Sequence, residues 1–213
     1  MPPPVPLDPH RYLESLQPDR CVLCFLTRSD THEHLKSLFE ECVTDPKSRD
    51  NLRDSEGLCR RHAWLAVDLG QSLGLSVIYS DLIQRDLAGL SKKRGLFGKT
   101  KPKSCPLCES EKRIDHSHVR HFASAWGHSE ALRGAFSKKG VLCLDHLEKT
   151  LQEKTAPAHR GSLLETGRKA LEPVLKDLNE FLEKQDYHRS REAVGKEGDA
   201  WIRAVRMVSG ERE

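Results

Sequence analysis

The hydrophobic residues of this chain recur mainly at the three- and four-residue spacing of helices. In the first part of the chain they predict a helix from about Cys24 to Val43, with Leu35 and Phe39 on its buried face. Asp45 followed by Pro46 is a typical helix start and predicts a second, shorter helix. Nothing alternates in the manner of a β-strand, so the sequence predicts an all-α protein.

A longer apolar stripe follows His62. It predicts one continuous helix from about Trp64 to Leu82, although Gly70 and Gly74 each weaken a helix by about 1 kcal/mol relative to alanine. Ser129 then stands before Glu130 at a place that matches Asp45-Pro46, and serine is a good N-cap. The same short helical unit is therefore predicted twice.

Two further helices are predicted near the C-terminus. Ser162 and Glu165 have the spacing of a capping box, which predicts the start of a helix that runs to about Tyr187 with a kink at Pro173. A last helix from about Asp199 is expected to dock on the bundle. The apolar faces are Leu164, Leu171, Val174, Leu175, Leu178, Phe181 and Leu182 in the longer helix, and Trp201, Ile202, Val205 and Val208 in the last one.

Cysteine and histidine form the most informative pattern in the chain. Two quartets, 84 positions apart, each read C-x-x-C, 34 intervening residues and C-x-x-H. This is the ligand composition of a closed Cys₃His zinc site, so the sequence predicts two bound Zn²⁺ ions. The first predicted site consists of Cys21, Cys24, Cys59 and His62, and the second consists of Cys105, Cys108, Cys143 and His146.

The repeat also predicts how the chain is organised. Two related Cys₃His helical units are expected, joined by a basic linker and followed by a helical region that packs on both. The predicted segments are a disordered Pro-rich tail at 1–10, the first unit at 11–90, the linker at 91–104, the second unit at 105–160 and the C-terminal region at 161–213.

Other chemistries compete with zinc as explanations of the cysteine and histidine pattern. An iron–sulfur cluster stays open, because three cysteines and one histidine can ligate either group. A thioredoxin-like pair would need a neighbouring β-α-β pattern, and a site with four protein ligands leaves no open position for zinc hydrolysis. No nucleophile–base, phosphate-loop or paired-carboxylate motif stands out, so the sequence favours a non-enzymatic interaction or adaptor module with an unknown protein partner.

Composition limits the remaining possibilities. The 213 residues carry a net charge of +3, which is too small to require a nucleic acid or membrane partner. The absence of a long apolar run or signal-peptide pattern predicts a cytoplasmic protein, where structural disulfides are rare. Six of the seven cysteines belong to the quartets, and Cys42, the seventh, is predicted to be a small buried apolar residue.

Basic and histidine residues suggest two further roles. The linker could bind nucleic acid together with Arg60 and Arg61, although a solvated connection is the simpler interpretation. Oxidation of the thiolates would make the protein a redox or metal sensor. The basic linker residues are Lys92, Lys93, Arg94, Lys99, Lys101 and Lys103.

Two His-x-His pairs, His32 with His34 and His116 with His118, are interpreted as packing residues or as supports for the metal ligands.

These motifs together resemble a family of uncharacterised bacterial proteins that share a domain of unknown function. The resemblance rests on CVLC, GLCRRHAW, CPLC, VLCLDH and the tail KQDYHRSREAVGKEGDAW, and it covers nearly all of the chain after residue 10. Gly140 departs from the pattern, because it lies one position earlier than Gly57 relative to the following cysteine. The resemblance implies tandem metal-binding helical units and no established activity.

Overall fold

A computed structural model describes residues 9–91, 104–153, 159–187, 189 and 191–211, and in this part of the chain the regular elements are helices. The predicted Pro-rich tail up to residue 8, the linker at 92–103 and the side chain of Cys42 lie outside the described residues. The α-helices are α1 (Pro9–Ser15), α2 (Val22–Thr44), α3 (Pro46–Asp54), α4 (Arg60–Asp68), α5 (Ser72–Ser91), α6 (Pro106–His128), α7 (Glu130–Lys139), α8 (Leu144–Gln152), α9 (Arg160–Lys184) and α10 (Ala200–Ser209).

Helix bounds recur at the 84-residue offset of the cysteine pattern. Helix α2 spans Val22–Thr44 and α6 spans Pro106–His128, so both ends are displaced by the same number of residues. Helices α4 and α8 correspond in the same way. The predicted caps are confirmed: the Asp45 carboxylate accepts from the backbone of α3, and the Ser129 hydroxyl accepts from the Leu132 N–H.

The prediction of one long helix after His62 is wrong. Helix α4 ends at Asp68 and α5 begins at Ser72. Gly70 lies between them with φ +73°, and the N–H groups of Gly70 and Gln71 donate to the carbonyls of Val67 and Ala66. This Schellman motif satisfies the last carbonyls of α4 and needs a residue in the left-handed region, which glycine adopts without strain.

The predicted start of the longer C-terminal helix is also wrong. Helix α9 begins at Arg160, two residues before the expected capping serine, and the Ser162 hydroxyl donates to the His159 carbonyl from inside the first turn. The helix continues through Pro173 to Lys184. The capping box is therefore absent, because Ser162 has helical neighbours on both sides.

Helix α10 and the 3-10 turn before it (Lys196–Asp199) pack on α9 through polar contacts, which the sequence did not predict. The buried carboxylate of Glu197 accepts from Lys184 Nζ at 2.7 Å, and Arg203 donates to the buried Asp177 at 3.0 Å. Ala200 and Met207 are the buried apolar residues of α10. The four residues expected to form its docking face are exposed instead, namely Trp201, Ile202, Val205 and Val208.

The chain divides into two compact units that do not follow the two halves of the sequence. The N/C unit consists of Met1–Thr27 and Asp115–Glu213, and the central unit consists of Arg28–Ile114. Each unit thus takes one C-x-x-C segment and one C-x-x-H segment from different halves. The first turns of α2 belong to the N/C unit, and the first turns of α6 belong to the central unit.

Each unit has its own apolar core. In the N/C unit the rings of Phe122, Trp126 and Phe136 lie within 6.0 Å of one another, and Tyr12 meets Phe122 edge to face. In the central unit, a Cβ added to Gly74 would lie 2.6 Å from the ring of Phe39, so the glycine permits close packing. The buried residues of the central core are Leu35, Phe39, Leu52, Ala66, Ile78, Leu82 and Leu107.

Candidate metal centres

The structure brings the eight predicted ligands into two groups, but it exchanges partners between the sequence halves. Each group combines the C-x-x-C of one half with the C-x-x-H of the other, and the ligand atoms of a group lie within 4.8 Å of one another. The prediction that each quartet comes from one half is therefore wrong. The N/C site consists of Cys21, Cys24, Cys143 and His146, and the central site consists of Cys59, His62, Cys105 and Cys108.

All four sequence motifs use the same local geometry, which is the first turn of a helix. Cys59 and Cys143 are the N-caps of α4 and α8, with nearly identical extended backbone angles. The carbonyls of Cys21 and Cys105 accept the first i→i+4 hydrogen bonds of α2 and α6, as N-cap residues do. The second ligand then lies three residues farther on, so that both side chains project from the same helix end.

The N/C site has the dimensions of a tetrahedron around one ion. His146 Nδ1 lies 3.4, 3.3 and 3.2 Å from the sulfurs of Cys21, Cys24 and Cys143, and the last two sulfurs are 3.7 Å apart. Bonds of about 2.3 Å to sulfur and about 2.05 Å to nitrogen would place sulfurs about 3.8 Å apart and sulfur and nitrogen about 3.6 Å apart. The donor set and its spacing therefore fit a single metal ion.

The central site matches this tetrahedron more closely. His62 Nδ1 lies 3.5 Å from the sulfur of Cys59, 3.6 Å from that of Cys105 and 3.4 Å from that of Cys108. The sulfurs of Cys59 and Cys108 are 3.7 Å apart. In both sites Nδ1 is the ring nitrogen that points to the sulfurs, so Nε2 is left to face the protein.

A carboxylate orients the histidine of the N/C site. His146 Nε2 lies 2.6 Å from Asp115 Oδ1, and Lys149 Nζ lies 2.9 Å from the other oxygen of the same carboxylate. Burial raises the pKa of Asp115, but the hydrogen bonds from His146 and Lys149 outweigh this effect and lower the pKa to about 2. Burial lowers the pKa of His146, but Asp115 and the neighbouring sulfurs raise it to about 11. A charged carboxylate behind a ligand histidine fixes the ring and increases its basicity.

The central site uses the same arrangement with a looser contact. Glu111 Oε2 lies 3.5 Å from His62 Nε2, and Arg61 forms a bidentate ion pair with Glu111. The nearby His62 ring and the hydrogen bonds from Arg61 lower the pKa of Glu111 to about 2. Burial lowers the pKa of His62, but the sulfur of Cys105 and the carboxylate of Glu111 raise it to about 9. Neither acid was a predicted site residue, because Asp115 and Glu111 are far in sequence from the histidines that they contact.

Hydrogen bonds favour negative charge on one sulfur of each site. Burial raises the pKa of Cys105, but His62 and the backbone N–H groups of Cys59, Cys108 and Leu107 lower it to about 6. Hydrogen bonds from its neighbours hold the pKa of Cys143 well below the ordinary thiol value. Thiolates are the form that binds metal, so each site contains one sulfur poised for coordination, whereas burial and neighbouring sulfurs raise the pKa of Cys21 and Cys108.

The two sites differ in how completely protein covers them. Cys21, Cys143 and His146 are buried in the N/C site, whereas His62 is the one fully buried ligand of the central site. At the end of α10, a Cβ added to Gly210 would lie 3.4 Å from the sulfur of Cys24, and φ there is +84°. The C-terminal segment therefore packs directly over the N/C sulfurs.

Charged residues are distributed unequally between the sites as a result of the exchange. Arg60 and Arg61 lie between Cys59 and His62, and Lys112 and Arg113 follow Cys108 on α6. Because the central site combines α4 with α6, all four belong to the central unit. The N/C site instead has Lys149, which bridges Asp115 and Asp145.

The remaining predicted features do not join the ligand groups. His34 Nε2 contacts the Ser110 hydroxyl at 3.0 Å, and His118 is buried with its carbonyl accepting from Tyr12. His32 and His116 belong to neither group of metal-competent residues in the described part of the chain. The basic residues of the linker lie outside the described residues, so nucleic-acid binding stays a prediction.

Two closed Cys₃His clusters on helix starts define an all-helical protein with two candidate metal centres. None of the described helices combines the length and apolar character that a bilayer crossing requires. Residues 92–213 match the model of a family described as a family of unknown function, DUF6062, and the chain belongs to this family. The expectation of an uncharacterised family is thereby confirmed.

One relative extends the similarity over almost the whole chain. It is named as an uncharacterized 23.9 kDa protein in the xynA 3′ region of Caldicellulosiruptor sp. (strain Rt8B.4). The two proteins are 27% identical over 204 residues, which cover 93% of this chain and 98% of the relative. No solved structure matches the chain.

The exchanged grouping predicts which double substitutions act on the same site. Cys24→Ser should remove one metal ion per chain, and adding Cys143→Ser should remove no more, because both sulfurs belong to the N/C site. Cys24→Ser combined with Cys59→Ser should remove both ions. Elemental analysis of the purified variants measures this directly. If the Cys24 and Cys143 substitutions together removed both ions, and the Cys24 and Cys59 substitutions together removed only one, the grouping within each sequence half would be correct.

The contacts of Asp115 and Glu111 predict that removing these carboxylates lowers metal affinity to different extents. Asp115→Ala should weaken metal binding at the N/C site by about 10- to 100-fold, since such partners orient and polarise ligand histidines. Glu111→Ala should have a smaller effect at the central site, because its contact to His62 is longer. Competition with a chromophoric chelator measures both affinities, and Glu109→Ala on the same helix is the control. Equal affinities for Asp115→Ala and Glu109→Ala would contradict the assigned role.

Proposed function

We propose that this protein is a zinc-stabilised helical interaction module in which two structural Zn²⁺ ions hold helix starts together. The observation that carries the proposal is the pair of Cys₃His quartets, whose interatomic distances suit one tetrahedral ion each. The helix bounds recur at one constant offset along the chain, which supports a duplicated origin of the scaffold. Four protein ligands on each ion leave no coordination position for a substrate, which favours a non-enzymatic role.

Zinc is favoured over an iron–sulfur cluster by the compactness of the quartets. In a cluster, bridging sulfides and more than one iron separate the thiolates that bind different irons. Here all ligand atoms of a site lie within 4.8 Å of one another. A mononuclear centre accounts for this spacing, and zinc prefers the tetrahedral sulfur and nitrogen donors that both sites offer.

Metal removal should destabilise the fold strongly. Binding free energy at structural zinc sites is on the order of 10 kcal/mol, and it contributes directly to folding. Cys24→Ser and Cys108→Ser should therefore lower the free energy of unfolding much more than Cys42→Ala, which affects no ligand. Urea titrations followed by circular dichroism measure these differences, and elemental analysis identifies the ion.

Three results would contradict the proposed function. If anaerobically purified protein contained iron together with acid-labile sulfide, the sites would hold an iron–sulfur cluster and not zinc. Equal unfolding free energies for the three variants would contradict a structural role for the metal. Metal-dependent turnover in a substrate screen would contradict the non-enzymatic interaction role.

A second candidate function is a thiolate sensor, which the unequal burial of the two sites supports. Cys59, Cys105 and Cys108 are each only partly buried, whereas two of the three N/C cysteines are almost fully buried. An oxidant that reaches the central thiolates would oxidise them to sulfenic acid or disulfide and release the ion.

This candidate predicts release in two steps. Titration with hydrogen peroxide should free about one equivalent of metal from the central site before the N/C site reacts, because oxidation follows thiolate exposure. A metallochromic dye measures the released ion, and the Cys59→Ser variant, which retains only the N/C ion, should lack the early step. Simultaneous loss of both ions together with the helical signal would contradict sensing.

A further inference from the structure

The turn before α10 contains the Glu-Gly-Asp-Ala-Trp tail, which supplies no metal ligand and has a different role in the structure. The Glu197 side chain is 2% exposed, and it accepts from Lys184 Nζ at 2.7 Å and from the Gly195 N–H at 2.8 Å. Lys184 is the last residue of α9 and is itself 10% exposed. A buried ion pair therefore joins the end of α9 to the turn from which α10 begins.

A second ion pair joins α10 to the middle of α9. Arg203 of α10 donates to Asp177 of α9 at 3.0 Å, and the Asp177 side chain is 5% exposed. The Arg203 guanidinium also donates to the Asp199 carboxylate at 2.7 Å and to the Lys196 carbonyl at 3.0 Å. One side chain thus connects α9, the turn and the first part of α10.

The contact between α9 and α10 buries few apolar side chains. The buried apolar residues of α10 are Ala200 and Met207. Leu175 and Leu182 of α9 are 59% and 64% exposed, although the periodicity of α9 predicts them as core residues. Removing one partner of a buried ion pair leaves an uncompensated charge, which is strongly unfavourable. The position of α10 on α9 therefore depends mainly on the two ion pairs.

The far end of α10 leads to the N/C metal site. Gly210 directly follows the helix, and a Cβ there would lie 3.4 Å from the sulfur of Cys24 and 4.0 Å from that of Cys143. The Glu211 carboxylate, whose side chain is 14% exposed, accepts from the Cys21 N–H at 3.4 Å. The two residues after α10 thus contact all three cysteines of the site.

This segment lies at the least buried part of the site. Cys24 is only partly buried, whereas the other three ligands of the N/C group are almost fully buried. A chelator that removes a metal ion has to approach it from a side that protein atoms leave open. Because Gly210 lies against the Cys24 sulfur, displacement of α10 would open the site at this ligand.

We propose that residues 196–211 form a C-terminal lid that controls how fast metal enters and leaves the N/C site. The two ion pairs hold the lid on α9, and its end at Gly210 and Glu211 covers the sulfurs. An element that buries few apolar residues opens locally at a lower free energy than the core of its unit. The inference rests on the proposed function, since it requires that the N/C group binds zinc.

Transfer of zinc from the full-length, zinc-loaded protein to an excess of the chelating dye 4-(2-pyridylazo)resorcinol tests the lid. Lys184→Met leaves the Glu197 carboxylate buried without its partner, so release from the N/C site should become at least about tenfold faster. Lys169→Met on the same helix is the matched control, because Lys169 is 71% exposed, and it should leave release unchanged. The Cys59→Ser variant, expected to retain only the N/C ion, identifies the phase that belongs to this site.

Equilibrium affinity distinguishes a lid from a support of the ligands. Glu211 is not a member of the N/C ligand group, so the open and closed forms should bind the ion equally. Lys184→Met should therefore accelerate uptake and release by the same factor and leave the dissociation constant unchanged. Faster release with a dissociation constant weakened by the same factor would show that the ion pairs hold the ligands in place, and it would overturn the lid.

Deletion of residues 210–213 tests the cover directly, because the deleted segment contains none of the residues of the two ion pairs. This variant should release the N/C zinc at least as fast as Lys184→Met and the central zinc at the wild-type rate. An unchanged N/C release rate in either folded variant would overturn the proposal. Elemental analysis of the starting samples separates this result from failure of the proposed function, in which the wild-type protein would contain no zinc.

Discussion

The meeting of two helix starts is the constraint on which both candidate metal centres depend. Each start supplies an N-cap cysteine and a second candidate ligand three residues later, and the positive end of the helix dipole favours negative charge there. One start alone offers two ligands, which is too few for a closed site. A complete tetrahedron therefore requires two helices whose first turns face the same point.

The chain meets this requirement by exchanging segments between its two halves. Cys24 contacts Cys143 across a separation of 119 residues, and Cys59 contacts Cys108 across 49. Neither half of the sequence contains a complete site, so metal bound at either one would link the two halves. A cross-link that closes a long loop removes much conformational freedom from the unfolded chain, which makes these ligand contacts effective constraints on the fold.

The sequence predicted the all-helical fold and two of the helix starts, because periodicity and caps are local signals, but it missed the break at Gly70 and misplaced the start of α9. It pointed to the eight residues that form the two candidate groups and to the caps at Asp45 and Ser129. It could not assign partners, since two equal motifs can combine within or across halves. Glu111 was missed for the same reason, because its contact to His62 depends on the exchange. Asp115 was missed because it lies 31 residues before His146 on a different helix. Periodicity also predicted the apolar stripe of α9 correctly as a stripe, but it carries no information on whether this chain or a partner covers it.

Equal ligand sets do not make the two centres equivalent, and a single backbone position explains part of the difference. In the N/C site the Val22 N–H donates to the Val141 carbonyl at 3.1 Å and joins the two ligand segments directly. The residue 84 positions after Val22 is Pro106, which has no N–H, so the central site cannot form the corresponding bond. The N/C site also receives the Cys21 N–H bond to Glu211 and the cover of Gly210. The N/C site thus has backbone and C-terminal supports that the central site lacks, and the cysteines of the central site are correspondingly more exposed to solvent.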